Sequence, residues 1–288
     1  MKIVVSRKKG FCFGVRRAVE MMDRFSRDEG PIETLGAIVH NPQVVERLKA
    51  SGVTVAESLD QVRGEVAAIT AHGMGPGVEE EAKRRGRRVV DATCPIVKKV
   101  HLVARDLAQA GYDIVIFGDP GHQEVQGIAG WAGPRVVSTP DWPPAPGHGL
   151  TLRRIAVLSQ TTQGEEDYRR FIARLMDSAL GRAREVRVIN TICGVTDSQK
   201  SAAREMSQIV DLVLVVGGRT SANTRGLAEV CVRAGVETHQ IETAEEIDQT
   251  WLTAKSRVGV TAGTSTPDWI IEEVVAYLEA AGGTVDTP

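Results

Sequence analysis

The sequence predicts an α/β fold of three similar lobes, each built on a small and mostly parallel sheet, around a pseudo-threefold axis. Two observations support this fold class. Short runs rich in Val and Ile alternate with helical patterns along the 288-residue chain, which is typical of βαβ units. In addition, three cysteines stand in the same setting, each between a strand pattern and a helix pattern: Cys12, Cys94 and Cys193.

Equal spacing links these cysteines to three polar residues further along the chain. His40, His122 and Ser221 each lie 28 residues after one of the cysteines, at the end of the next strand pattern or in the loop behind it. Self-similarity at a fixed offset indicates repeated structural units. We therefore expect these three residues to occupy matching places in matching lobes.

The predicted lobes span residues 1–90, 91–190 and 191–288. In each lobe the cysteine is followed by a helix, a strand, a short helix, a second strand with a polar loop, and a further helix. Ligands of open α/β sheets bind at the carboxyl ends of the strands. The polar residues expected there, lobe by lobe, are His40 and His72; His122, Glu124, Thr161 and Thr162; and Ser221, Asn223 and Ser265.

The composition excludes several classes of function. The net charge of −2 provides no basic surface for nucleic acid, and no apolar run reaches the roughly 20 residues of a membrane span. The basic residues near the amino end follow a short apolar run, which reverses the order found in a signal peptide. We expect a cytoplasmic protein that binds neither nucleic acid nor membranes, with four cysteines used for thiolate chemistry or burial rather than disulfides.

The polar loops favour a phosphate or diphosphate ligand. Several of them lie just before helices, where free backbone amides attract anions. They carry histidines, hydroxyls and an amide, whereas Arg219 and Arg225 are the only arginines near them in the sequence. The anion would therefore be held mainly by hydrogen bonds.

Three cysteines without a fourth partner favour a central iron–sulfur cluster with one iron left open. Such clusters are normally held by four thiolates, so a missing ligand implies a reactive metal. Structural zinc normally uses closely spaced Cys or His pairs, whereas these cysteines lie 82 and 99 residues apart. Independent buried cysteines are another alternative, and Cys231, in the middle of a helix pattern, is expected to be one. We also expect the helix behind Cys94 to lower the pKa of its thiol.

Nine motifs in chain order resemble one enzyme family. They are GFCFGVRRAV, IVHN, AHG, VDATCPIVKKVH, GHQEVQG, SQTT, NTIC, SANT and VTAGTSTPD, and they extend from residue 10 to residue 268. Together they resemble the 4-hydroxy-3-methylbut-2-enyl diphosphate reductases of the IspH/LytB family, which catalyse the last step of the methylerythritol phosphate route to isoprenoids. The resemblance implies reductive dehydroxylation of (E)-4-hydroxy-3-methylbut-2-enyl diphosphate to isopentenyl and dimethylallyl diphosphates.

The resemblance also implies a role for each candidate residue. Cys12, Cys94 and Cys193 would hold one 4Fe–4S cluster with an open iron. Glu124 would be the proton source, with Thr161 beside the substrate hydroxyl and His122 as a further catalytic residue. Electrons would come from a donor such as ferredoxin or flavodoxin. The allylic diphosphate would be bound by His40, His72, His122, Thr161, Ser221, Asn223 and Ser265.

Three places depart from the pattern that the family usually shows. Ala222 stands where a serine is common, and Gln123 stands where a proline precedes the acid. Gln199 and Lys200 stand where Arg-Gln is frequent.

Two other functions stay open at this point. One is a paralogous iron–sulfur reductase or hydro-lyase that acts on a different small phosphorylated or hydroxy-acid substrate. A hydro-lyase would favour arginines for its carboxylate substrate, and these loops largely lack them. The other is a non-catalytic iron–sulfur sensor or scaffold, which would have no use for six convergent polar loops.

Overall fold

A computed structural model describes residues 1–143, 150–151 and 153–286, and the chain forms two compact units. One unit contains Met1–Arg16, Val39–Arg47 and the chain from Gly194 onward. The other contains Arg17–Ile38 and Leu48–Cys193. Within the described residues, no helix combines the length and the apolar character that crossing a membrane requires.

The unit that begins at Met1 is built on one five-stranded parallel sheet. Its strands are β1 (Lys2–Val5), β10 (Leu212–Val216), β11 (Glu237–Ile241), β12 (Arg257–Ala262) and β13 (Thr284–Val285), in the spatial order β11-β10-β12-β1-β13. Its helices are α7 (Gly194–Ser207), α8 (Ala222–Arg233) and α9 (Asp268–Ala280), with short 3-10 turns at Ala244–Glu246 and Gln249–Leu252.

Helices cover both faces of this sheet. Ile270 and Val274 of α9 pack against one face, and Met206 of α7 and Leu227 of α8 pack against the other. The central strands β10 and β12 are therefore nearly continuous apolar runs, as is typical of parallel strands that are buried on both faces. Cys231, in the middle of α8, is fully buried in this core, so its predicted structural role is confirmed.

The other unit contains two four-stranded parallel sheets. The first consists of β2 (Ile32–Leu35), β3 (Val53–Ala56), β4 (Val66–Ile69) and β5 (Arg88–Asp91), in the order β3-β2-β4-β5. The second consists of β6 (Asp113–Phe117), β7 (Val136–Thr139), β8 (Arg154–Ser159) and β9 (Glu185–Val188), in the order β7-β6-β8-β9. The helices of this unit are α3 (Gly77–Arg84), α4 (Pro95–Gln109), α5 (Gln123–Ala132) and α6 (Glu165–Ala179). Two further helices, α1 (Phe13–Asp28) and α2 (Pro42–Ala50), have residues in both units.

The three sheets share one strand order, so the predicted α/β fold with three small parallel sheets is confirmed. The orders β3-β2-β4-β5 and β7-β6-β8-β9 recur in the third sheet as β11-β10-β12-β1. One strand lies in a different sheet from the one expected: β1, from the predicted lobe 1–90, pairs in parallel with β12. It takes the place that β5 and β9 have in the other sheets, because the partner of a strand is chosen by packing rather than by nearness in the chain. The lobe boundaries at residues 90 and 190 stay a prediction.

Matching loops follow β2, β6 and β10, and each begins with a glycine and reaches its predicted polar residue five positions after the strand. These loops run from Gly36 to His40, from Gly118 to His122 and from Gly217 to Ser221. The strands therefore end earlier than expected, since the first two were predicted to run up to the histidines. The φ angles of 86° at Gly36 and 147° at Gly217 explain why, because they turn the chain away from the sheet direction.

Gly218 has no room for a side chain, and we predict that Gly218→Ala destabilises the protein. A β-carbon there would lie 2.4 Å from the carbonyl oxygen of His40, so the loop that carries His40 would have to move. Overpacking of this kind costs about 1–3 kcal/mol, which we expect as a loss in the free energy of unfolding measured by urea denaturation. Gly77→Ala is the control, because a β-carbon there would lie within 4 Å of no described atom outside its chain neighbours and the adjacent backbone of its own helix. Equal stability of Gly218→Ala and the wild type would rule out this close approach.

Candidate active site

The three candidate cysteines occupy equivalent positions, each directly before a helix. Cys12 precedes α1, Cys94 precedes α4 and Cys193 precedes α7, and Pro95 begins α4 as predicted. All three thiols are half-buried, and none of them forms a disulfide in the described part of the chain. Such thiols are shielded by the fold and still reachable by a ligand.

One backbone hydrogen bond holds each cysteine to the loop after the third strand of a sheet. The amide of Cys94 donates to the carbonyl oxygen of Ala71 at 3.0 Å, and that of Cys193 donates to Thr161 at 2.8 Å. In the other unit the amide of Cys12 donates to the carbonyl oxygen of Thr264 at 3.2 Å. Each acceptor lies two residues beyond the end of β4, β8 or β12. The residue after each acceptor is His72, Thr162 or Ser265.

The electrostatics of Cys94 differ from the sequence expectation. Burial raises the pKa of its thiol, and the nearby Cys193 and Glu124 raise it further. The amides of Ile96 and Val97 lower it, as predicted from the helix N-terminus, but they do not outweigh burial. The expected lowering of the thiol pKa was therefore wrong, because the sequence pattern does not report desolvation.

Glu124 is a buried carboxyl group held by a single threonine. It lies in the first turn of α5, and only 2% of its surface is exposed. Its Oε1 accepts a hydrogen bond from the backbone N–H of Thr161 at 2.6 Å, and its Oε2 accepts one from the Thr161 hydroxyl at 2.9 Å. Burial raises the pKa of Glu124 to about 7, although the two bonds from Thr161 act in the opposite direction. The side chain can therefore both hold and release a proton near neutral pH.

Two histidines of the same unit lie next to each other, and one of them, His122, contacts the backbone of Glu124. The ring centroids of His72 and His122 are 5.5 Å apart in an edge-to-face arrangement. Nδ1 of His122 accepts a hydrogen bond from the backbone N–H of Glu124 at 3.2 Å and so caps α5. Nδ1 of His72 lies 3.3 Å from the Thr70 hydroxyl.

Gln123 ties the start of α5 to the neighbouring sheet. Its Nε2 donates to the carbonyl oxygen of Leu35, at the end of β2, at 2.8 Å. Its Oε1 accepts from the Thr70 hydroxyl, just after β4, at 3.3 Å. A proline, which the motif resemblance suggests at this position, could make neither bond. The departure at this position therefore adds a direct link between the His72 loop and the helix that carries Glu124.

The unit that begins at Met1 brings together three of the predicted diphosphate ligands. Oγ of Ser221 accepts from the backbone N–H of Thr224 at 3.3 Å and so caps α8. Oγ of Ser265 lies 3.4 Å from Oγ of Ser221 and donates to the carbonyl oxygen of His40 at 3.3 Å. Burial lowers the pKa of His40, and the positive charge of Arg225 lowers it further. The imidazole of His40 is therefore neutral at pH 7 and can donate a hydrogen bond from one nitrogen only.

Gln199 is a structural member of this site that sequence reasoning treated only as a departure from the family pattern. Its Oε1 accepts from Nδ2 of Asn223 at 3.2 Å, and its Nε2 donates to the carbonyl oxygen of Gly10 at 3.0 Å. The side chain thus connects the Cys12 loop to the start of α8. No spacing or motif indicated this, because its partners lie 189 and 24 residues away.

Among the buried polar atoms of this unit that have no hydrogen-bond partner in the described residues are Nδ2 of Asn41 and Oδ1 of Asn223. Buried polar groups are normally paired, so such atoms indicate a ligand or bound water. Asn41 caps α2, since its Oδ1 accepts from the backbone N–H of Val44 at 3.1 Å. Its free amide donor therefore lies at a helix N-terminus next to His40, where an anion is favoured.

The predicted site residues thus fall into two groups, one in each unit. Those in the unit that begins at Met1 are Cys12, His40, Ser221, Asn223 and Ser265, and those in the other unit are His72, Cys94, His122, Glu124, Thr161 and Cys193.

Comparison with known proteins matches nearly the whole chain to one family. The model of the LytB protein family matches residues 3–279. A 4-hydroxy-3-methylbut-2-enyl diphosphate reductase from Dehalococcoides mccartyi strain CBDB1 is 42% identical over 279 residues, which are 97% of this chain and 98% of that protein. The enzyme of the same name from Geobacter metallireducens is 40% identical over 278 residues, which cover 96% of this chain and 97% of the relative.

Two solved structures are similar to this one over nearly their full length. The E-1-hydroxy-2-methyl-but-2-enyl-4-diphosphate reductase from Plasmodium falciparum has a TM-score of 0.89 at 25% identity, covering 100% of this chain and 92% of that chain. A second structure, of an (E)-4-hydroxy-3-methyl-but-2-enyl diphosphate reductase described as the terminal enzyme of the non-mevalonate pathway, has a TM-score of 0.71 at 36% identity. The match covers 97% of this chain and 100% of the chain in that structure.

The pKa of Glu124 predicts a pH dependence of stability. Between the ordinary value of 4.5 and about 7 the folded state keeps a proton that the unfolded state has lost. Raising the pH through this window therefore disfavours folding, by up to about 2–3 kcal/mol above pH 7. We expect Glu124→Gln to remove this loss, which urea unfolding of metal-free protein at pH 5 and pH 8 would measure. Glu80→Gln, at an exposed carboxylate, should retain the wild-type pH dependence. If Glu124→Gln retains it too, the side chain is not protonated in the folded state.

Proposed function

We propose that this chain, which belongs to the LytB protein family, is a 4-hydroxy-3-methylbut-2-enyl diphosphate reductase of isoprenoid biosynthesis. In this reaction the allylic alcohol of (E)-4-hydroxy-3-methylbut-2-enyl diphosphate takes up two electrons and two protons, loses its hydroxyl as water, and becomes isopentenyl or dimethylallyl diphosphate. The observation that carries the proposal is the buried, protonatable Glu124, bonded to Thr161, in the unit that also holds Cys94 and Cys193. Hydroxide is a poor leaving group, so the reaction needs such an acid.

The donor set of Cys12, Cys94 and Cys193 fits an iron–sulfur cluster. The three thiols are half-buried and disulfide-free, and each lies at a helix N-terminus, where the first backbone amides favour bound negative charge. Soft thiolate ligands favour iron–sulfur clusters over hard cations. Because burial raises the pKa of the Cys94 thiol, cluster binding would displace a proton from that residue. We propose one 4Fe–4S cluster with these three ligands; when bound, it would supply electrons and the Lewis acidity of an iron that lacks a cysteine ligand.

Side chains in the loops before α2, α3, α5, α8 and α9, and in the first turn of α8, would bind the diphosphate. His40, Ser221 and Ser265 form one hydrogen-bonded group, and the unpartnered amide of Asn41 lies beside it. We propose that this group, with Asn223, His72 and His122, binds the phosphate oxygens. Neutral donors suit this task, because helix N-terminal amides complement the negative charge and little side-chain charge is needed.

Glu124 would hold the proton that the departing hydroxyl takes. Its two bonds to Thr161 fix the carboxyl group, and the Thr161 hydroxyl would lie beside the substrate hydroxyl. Because the pKa of Glu124 is about 7, its proton is available at the pH of the cytoplasm, where we propose that the enzyme works. Electrons would come from a small redox protein such as ferredoxin or flavodoxin.

Anaerobic turnover tests the proposal directly. Reconstituted protein would be incubated with the allylic diphosphate, with and without a chemical reductant, and the products would be identified by mass spectrometry. We expect isopentenyl and dimethylallyl diphosphates only when the reductant is present. A dehydration product without reductant would instead identify a hydro-lyase, and a stable cluster without any turnover would identify a sensor or scaffold.

The proposed cluster ligands predict the iron content and the absorption of the protein and of its cysteine variants. Anaerobically purified protein should be brown, with about four irons per chain for a cluster of the proposed type. Replacing Cys12, Cys94 or Cys193 with Ser should lower the iron content and the absorption of the cluster, because a hydroxyl is a weaker ligand for iron. Cys231→Ser is the control, since Cys231 is buried in the core of its unit and should leave both readouts unchanged. A colourless anaerobic preparation with stoichiometric zinc would exclude the iron–sulfur assignment.

The proposed role of Glu124 predicts that Glu124→Gln slows turnover. Glu124→Gln keeps the size of the side chain and can still accept from Thr161, but it cannot deliver a proton. A positioned general acid typically contributes about 10²–10⁴ in rate, and turnover with a chemical reductant should fall by that factor. Cluster absorption and the Kd of the substrate should change little. Near-normal turnover would remove Glu124 from the mechanism and direct the search for the donor to His122 or Thr161.

A further inference from the structure

A groove with basic and exposed apolar side chains includes Cys12 in its lining, in the unit that begins at Met1. The groove, of about 410 Å³, runs along the segment from Arg7 to Phe13 and the start of α7, from Gly194 to Gln199. The groove therefore provides an approach from solvent to one of the proposed cluster ligands.

The groove is strongly basic. Arg7, Lys8 and Lys9 follow one another along its wall, and all three are exposed. None of the three forms an ion pair with any residue that the structure describes. Among the described residues that line the groove there is no carboxylate. The chain as a whole has a net charge of −2, so these three positive charges are a local feature of this face.

The same surface exposes apolar side chains. Phe13 is 71% exposed, which is more than any other large hydrophobic residue in the described part of the chain, and Val195 is 40% exposed. Phe13 is the first residue of α1 and directly follows Cys12 in the sequence. An exposed aromatic ring rimmed by unpaired cations is typical of a contact site for an acidic protein, since the ring contributes buried area and the cations steer the encounter.

We propose that this surface, defined by Arg7, Lys8, Lys9, Phe13 and Val195, is the docking site for an acidic one-electron carrier protein. This inference rests on the proposed function, which consumes two electrons per substrate. The carrier would arrive reduced, release one electron beside Cys12 and leave oxidised. Two such encounters, with two protons, replace the C–O bond of the substrate by a C–H bond and release one water. Redox partners of this kind form small, short-lived interfaces, and these five residues would lie at the centre of one.

Charge reversal tests the docking site. The variant Lys8→Glu/Lys9→Glu would be compared with Arg182→Glu/Arg184→Glu, which makes the same change in charge at two exposed arginines of the other unit. Binding of a purified acidic flavodoxin and of a purified acidic ferredoxin would be measured by calorimetry at low and at high salt. We expect wild type to bind at least one carrier at low salt and to lose affinity as salt screens the charges. The Lys8/Lys9 variant should bind at least about tenfold more weakly and show little salt dependence, whereas the Arg182/Arg184 variant should resemble wild type.

Phe13→Ala separates the apolar part of the surface from the charged part. It should lower the affinity several-fold while leaving the salt dependence at the wild-type value, because it changes no charge. Circular dichroism and cluster absorption should be unchanged in every variant, since all the substituted side chains are exposed.

Turnover with dithionite-reduced methyl viologen at a saturating concentration distinguishes the failure of this inference from the failure of the proposed function. If the wild type is inactive with methyl viologen, the proposed function is wrong, whatever the carriers do. If it is active, the Lys8/Lys9 variant should also be active with methyl viologen and impaired only with the carrier. Equal carrier binding by the Lys8/Lys9 variant and the wild type would overturn the docking site. Equal weakening in the two charge variants, or binding of neither carrier by the wild type, would overturn it as well.

Discussion

Parallel pairing directs the carboxyl ends of all the strands in a sheet to one edge, and the candidate site depends on this constraint. Every strand pairing in the described residues is parallel. The loops that leave this edge lead into helices, so free amides of helix N-termini collect where the strands end. The cysteines use the same edge, because the amide of each one donates to the loop after the third strand of a sheet. A thiol, a capping residue and a polar loop are thus held together by backbone geometry in each repeat.

Thr161 contacts both the proposed proton donor, Glu124, and the loop that carries Cys193. Its amide and hydroxyl satisfy both carboxyl oxygens of Glu124, and its carbonyl oxygen accepts the amide of Cys193. A fully buried carboxylate without a positive partner is costly, so Glu124 favours its neutral form up to about pH 7. The same burial that raises its pKa therefore suits Glu124 to the proton-donor role that we propose for it. The threonine keeps that proton in a defined place relative to the cysteine loop.

Two glutamines link the starts of helices to neighbouring loops. Gln123 joins the start of α5 to Leu35 and Thr70, and Gln199 joins the start of α8 to Gly10. Both side chains use an amide to bridge two backbone segments, since an amide donates and accepts at the same time. In each unit a glutamine therefore fixes a helix N-terminus with a proposed ligand-binding role against a neighbouring loop.

Features that depend on the order of residues within a short segment could be predicted from the sequence. Strand, loop and helix lengths set the equal offset of 28 residues, and the structure shows the five-residue loops and the helix starts that produce it. The sequence also predicted the burial of Cys231, because an apolar helix face is periodic. The motifs identified the family over nearly the whole length of the chain.

Which distant segments meet depends on tertiary packing. The structure placed β1 beside β12, and it revealed the short strands β3, β7 and β11, which the sequence analysis had not resolved. Each of these three pairs on one side only and mixes polar with apolar residues, so its sequence carries little signal. Tertiary packing also raised the pKa of Cys94, where the local helix signal predicted the opposite, and it joined Thr161 to Glu124 across 37 residues. Strand partners and desolvation depend on atoms far away in the chain, which a local sequence pattern does not contain.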